Sequence, residues 1–131
     1  MGYKLGTVDG KAVLIKENSY YDIATLSNGA ISSDSVEALK FQSKLSELFE
    51  SLDEKNATGN LSDVELGNPV PNSPNCYAVG LNYRKHAEES GMDIPEVPMI
   101  FTKHTSCFVG PKSNIEMRSD YVDWEADLVV V

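Results

Sequence analysis

Apolar and polar positions trade places over short distances at the start of the chain. The runs Tyr3 to Val8, Ala12 to Lys16 and Tyr20 to Leu26 predict three strands. Asp9-Gly10 between the first two predicts a tight hairpin, because both central residues of the favoured turn take positive φ. Asn28-Gly29 closes this unit. From Ser33-Asp34 the period lengthens. Ala38, Phe41, Leu45, Leu48, Phe49 and Leu52 recur at three- and four-residue steps, which predicts one helix with a buried stripe. Glu37 follows Asp34 by three residues, as in a capping box. The helix ends over Lys55 to Asn60, and Leu61 to Leu66 reads as a short strand. Residues 67–75 hold Pro69, Pro71 and Pro74 among three asparagines, a composition that excludes helix and reads as a linker. The boundary is placed there, with residues 1–66 forming a small N-terminal α+β unit and residues 76–131 a second region.

In that second region Cys76 to Gly80 reads as a buried strand. Leu81 to Gly91 then reads as a short helix closed by Gly91. Pro95 to His104 is a proline-bounded loop entering a strand, and Gly110-Pro111-Lys112 is turn chemistry. As a strand, Asp123-Trp124-Glu125-Ala126-Asp127-Leu128 puts its three carboxylates on one side and Trp124, Ala126 and Leu128 on the other. The apolar run Leu128 to Val131 carries that strand toward a core and meets no turn or cap. It gives the expectation that the chain is the N-terminal part of a longer protein.

The candidate chemistry sits on these elements. On a helix His86 and Glu89 share a face, and a carboxylate beside an imidazole orients it and raises its basicity, as a general base requires. The bland alternative is a solvated surface pair. Asp123, Glu125 and Asp127 repel one another on a strand bound for a core, and a cation removes the conflict. Hard oxygen donors suit Mg²⁺, Mn²⁺ or Ca²⁺ better than zinc, while the alternative is an acidic strand facing water. Lys103 is suited to a substrate carboxylate or oxyanion, or else is a surface charge.

Composition narrows the partners. With 41% hydrophobic and 24% charged residues, the chain of 131 residues has globular composition, not that of a disordered tail. Eleven Lys and Arg against 20 Asp and Glu give a formal charge of −9, which repels nucleic acid and anionic lipid. Cys76 and Cys107 lack the spacing of a zinc site or a disulfide framework and are read as buried free thiols. Asn56-Ala57-Thr58 matches a glycosylation sequon but is read as a helix-ending loop. The N-terminus lacks the apolar core of a signal peptide, and no segment approaches the ~18 apolar residues of a membrane span, so a cytoplasmic location is the default expectation.

The series Tyr77-Ala78-Val79-Gly80-Leu81-Asn82-Tyr83, His86-Ala87-Glu88-Glu89-Ser90-Gly91, Pro98 to Lys103, Gly110-Pro111 and Asp123 to Leu128 resembles the fumarylacetoacetate hydrolase family. The leading region is similar to the N-terminal extension of bacterial members that act on 2-oxo acids. The resemblance implies an α+β chain whose second region, 76–131, is the first part of a mixed β-roll or distorted barrel, homodimeric when complete. It implies an enzyme acting on 2-oxo acid or 1,3-dicarbonyl substrates by C–C hydrolysis, decarboxylation or isomerisation through a metal-stabilised enolate. It places Glu125 and Asp127 as ligands of Mg²⁺ or Mn²⁺, His86 with Glu89 as the proton-moving dyad, and Lys103 and Tyr83 at the substrate. Asp127 stands where the family usually has a second glutamate, and the third acidic ligand is expected beyond Val131. The expectation is therefore that these residues alone are inactive. The competing expectation is a truncated, non-catalytic assembly module that pairs through an exposed β edge.

Overall fold

A computed structural model describes residues 2–131; Met1, the first residue of the expected N-terminal unit, lies outside the described residues. Strands β1 (Leu5–Val8), β2 (Lys11–Lys16), β3 (Ser19–Asp22) and β4 (Gly59–Asn60) form one antiparallel sheet in that order. The turn at Asp9-Gly10 takes φ of 48° and 74°, the mirror-image geometry that matches strand twist. Strand β4 is two residues of glycine and asparagine, for a steric reason. A Cβ at Gly59 would stand 2.8 Å from the ring of Tyr20, its register partner.

The third apolar run corrects the expectation of a strand through Leu26. It stops at Asp22, and Ile23–Leu26 forms helix α1. The cause is local: the Asp22 carboxylate accepts from Thr25 N–H at 2.7 Å, satisfying a helical donor that a strand would not present. The single long helix is likewise two, α2 (Ser35–Leu39) and α3 (Gln42–Glu50). Lys40 and Phe41 donate to the carbonyls three residues back, which tightens the end of α2 and turns Phe41 outward to 46% exposure. Ala38, Leu45 and Leu52 keep their places in the core, and Leu48 and Phe49 pack on it half-buried. Asp34 caps α2 by accepting from Glu37 N–H at 3.0 Å. The Glu37 carboxylate reaches Lys40 at 2.7 Å instead of returning to the cap, so only half of the expected box forms.

Leu61 to Leu66 is not a strand. Leu61–Asp63 is a 3₁₀ turn in which the Asn60 side chain accepts from Ser62 N–H, and Leu66 makes a lone antiparallel bridge to Val8. One core results, with Ala12, Leu14 and Tyr21 from the sheet facing Ile23, Ile31, Ala38, Leu45 and Leu52. Burial of each large side chain contributes about 1.5–3 kcal/mol.

Past the proline-rich stretch, β5 (Cys76–Gly80) and β6 (Met99–Lys103) form an antiparallel pair with Cys76 opposite Lys103 and Gly80 opposite Met99. Strand β5 is half-buried at alternate positions, not buried throughout, and β6 is exposed along its length. Helix α4 (Arg84–Glu89) starts three residues later than expected, because Leu81 takes a φ of 51° and Tyr83 is extended. It ends at Gly91 with φ 63°, where Met92 N–H returns to the Ala87 carbonyl. Cys107 is exposed and Cys76 half-buried, so neither is the buried thiol expected. The expected strand over 123–131 is absent. A strand needs a neighbour for its N–H and C=O groups, and among the described residues none pairs with this stretch, leaving Leu128 82% exposed. The described chain is thus α+β with antiparallel pairing and no closed barrel. No described helix is long and apolar enough to cross a membrane.

Candidate active site

Position 86 is set by three local decisions. Strand β5 ends at Gly80, where a Cβ would stand 3.2 Å from Met99 Cε, so the close crossing of β6 favours glycine. Leu81 then reverses the chain in the left-handed region. Extended Tyr83 starts α4, and Ala87, fully buried, turns that helix inward. His86 is left on the outer side, about half exposed.

The carboxylate that reaches His86 is that of Glu125, with Nε2 and Oε1 4.0 Å apart and both side chains open to water. This separation is longer than a hydrogen bond, and as an exposed ion pair it contributes little to stability. It does bring an acid and an imidazole from distant parts of the chain to one place. Glu89, the expected partner on α4, is exposed and makes no ion pair with His86 among those found in the described residues. Asp123 is occupied locally, its carboxylate accepting from Trp124 N–H at 2.8 Å. Asp127 is exposed in the irregular stretch, Lys103 lies exposed at the end of β6, and Tyr83 lies exposed at the start of α4. Of the expected site residues, then, His86 and Glu125 are the two brought near one another. Helical spacing could not have found that pair, since it reports neighbours three and four residues away.

A metal ion is tested against this arrangement by its donors. Among the described residues no group of three His, Cys, Asp or Glu stands close enough to hold one. Glu125 approaches the imidazole, and the alternation expected to bring Asp127 to its side requires a strand that has not formed. The placement therefore does not fit a cation. Two surface hollows lie elsewhere, one of about 540 Å³ along Leu39 to Lys44 and one of about 370 Å³ bounded by Lys16, Ser19, Tyr21 and Leu52. Neither is lined by His86.

Comparison with known proteins matches the same region of the chain. The family described as fumarylacetoacetate (FAA) hydrolase C-terminal matches residues 75–131. A mitochondrial oxaloacetate tautomerase of Bos taurus is 40% identical over 72 residues, which are 53% of this chain and 23% of that protein. The corresponding mitochondrial oxaloacetate tautomerase of Homo sapiens is 38% identical over the same extent. A crystal structure from Mycobacterium smegmatis, provisionally assigned as HpcE, superposes with a TM-score of 0.72 at 30% identity, covering 86% of this chain and 40% of that one. The aligned stretch thus spans under a quarter of the length of these curated relatives.

Proposed function

We propose that residues 75–131, which match the fumarylacetoacetate hydrolase family, are part of an enzyme of that family acting on a 2-oxo acid or 1,3-dicarbonyl compound. The observation that carries this reading is the approach of His86 to Glu125 inside the matched stretch. With Nε2 turned toward Glu125, the other ring nitrogen, Nδ1, removes a proton from the carbon beside a keto group, or from water, and returns it later in the cycle. Glu125, on the Nε2 side, orients the ring. Lys103 pairs with the substrate carboxylate, and Tyr83 flanks it. Tautomerisation needs only the proton moved between carbon and oxygen, while hydrolysis also needs an activated water; the shared first step is abstraction by the same base. Ligation of Mg²⁺ or Mn²⁺ by Glu125 and Asp127 is a separate proposal that depends on pairing of the 123–131 stretch. Calorimetry checks it: cation binding to the native protein that is lost in Glu125→Ala supports it, and no binding removes it.

The test of the main reading is turnover of a panel of 2-oxo acids by the native protein at its natural length. His86→Ala should lower the rate by about 10²–10⁴-fold, the usual worth of a positioned acid–base group. Undiminished turnover in that variant places the base elsewhere. Glu125→Gln against Glu89→Gln then decides which carboxylate serves the ring. A second reading, a non-catalytic assembly module, is favoured by the exposure of Tyr121, Trp124 and Val129 to Val131. No turnover of any member of the panel, together with stable association of the protein with another chain, supports that alternative.

A further inference from the structure

The stretch read from composition as a linker is stitched to the sheet before it. Strand β1 is an edge strand, with one side paired to β2 and the other presenting free main-chain groups. Leu66 bridges to Val8 on that free side, and Gly67 N–H donates to the Thr7 carbonyl at 2.9 Å. The Thr7 side chain, 2% exposed, donates its hydroxyl to the Asn68 carbonyl at 2.9 Å. Only glycine fits at 67, since a Cβ there would stand 2.7 Å from Thr7 Oγ1. Beyond, Asn68 Oδ1 accepts from Val70 N–H and sharpens the turn. Asn72 Nδ2 donates at 2.9 Å to Asp34 Oδ2, whose other oxygen caps α2. The family-matched region touches this strip too. Gly110 comes near enough that a methyl there would make ordinary contact with it, 3.7 Å from the Leu66 carbonyl oxygen and 3.9 Å from Gly67 Cα.

We propose that residues 66–72 are a lock and not a tether: they cover the free edge of β1 and, through Gly110, hold the 110–113 turn of the second region against the N-terminal sheet. Two clasps close it. Thr7 works from inside the core, where a hydroxyl without a partner is costly, so the carbonyl of Asn68 is its required acceptor. The Asn72–Asp34 bond works from the surface and fastens the far end of the strip to α2. Opening the inner clasp releases the strip, and the 110–113 turn with it, from the β1 edge while the core behind the sheet stays closed.

Amide hydrogen exchange on the whole chain tests the lock. Thr7→Val keeps the shape of the side chain and removes its donor. The Gly67 amide should then exchange roughly five- to tenfold faster, the loss of one hydrogen bond, with the Ser113 amide accelerating alongside. The amides of Ile15, bonded to Lys4, and Leu45, bonded to Phe41, should hold their rates. Equal acceleration at Ile15 and Leu45, or none at Gly67, overturns the proposal, the first because it makes Thr7 an ordinary core residue. Asn72→Ala removes a surface contact and should leave the sheet amides unchanged while speeding proteolytic cleavage within 70–75. Cleavage at the parental rate overturns the outer clasp.

Discussion

The two halves of the chain use their apolar residues in opposite ways. Every buried hydrophobic residue except Ala87 lies before position 53, whereas every large exposed one except Phe41 lies after position 76. Both halves contain valine and aromatic residues, although the leucines gather in the first. What differs is whether a complementary surface stands opposite. In the first half a sheet face meets three short helices, and eight side chains close one core. In the second, a two-stranded sheet and an extended stretch present the same kinds of side chain to water. Hydrophobic burial depends on area removed from water, so identical residues stabilise one half and not the other. The half that carries the family match and the candidate chemistry is the one that buries little.

This contrast is open to measurement. Leu45→Ala empties a fully buried site and should cost about 2–5 kcal/mol in urea unfolding. A loss under 1 kcal/mol would mean the first half has no well-packed core. Asp22→Ala removes the cap of α1 and should cost about 1 kcal/mol by the same assay, a smaller effect confined to the same half. Acid dependence offers a finer probe. The Asn72 amide, helped by the Glu37 N–H, holds the Asp34 carboxyl below the usual carboxylate range. Folding therefore favours its charged form, and that contribution is complete above the unfolded value near ~4 and is lost as pH falls through the lower folded value. Asn72→Ala should flatten the acid limb of stability against pH, and an unchanged slope would show that the bond does not form. Smallest of all, Leu128→Ala should shift stability by no more than about 0.5 kcal/mol, because its side chain is already in water. A core-sized loss there would break the comparison outright.

The legible parts of the sequence were those governed by near neighbours. Asp9-Gly10 specified its turn, Asp34 its cap, and Gly91 its helix end, each within a few residues of the atoms it contacts. The α1 helix was also signalled, by Asp22 three residues before Thr25, but the surrounding apolar run favoured a strand. What escaped was decided at a distance. Gly59 pairs with Tyr20 because a methyl would collide with its ring, and nothing adjacent to Gly59 says so. The strand propensity of Leu128 to Val131 is real, yet propensity does not supply a hydrogen-bonding neighbour. At the candidate site His86 was identifiable from its motif, while its approach to Glu125 depends on how β5, α4 and the final stretch come together. The ordered motifs pointed to the fumarylacetoacetate hydrolase family, whose pattern matches residues 75–131, and periodicity alone would not have done so.

Trp124 is the single tryptophan of the chain and stands 83% exposed beside Glu125. Its fluorescence is therefore a built-in reporter, free of tyrosine-like multiplicity. Red-shifted emission open to quenching by iodide or acrylamide describes the state seen here, and any ligand or polypeptide that sheltered the acidic stretch would move that emission to the blue without a label.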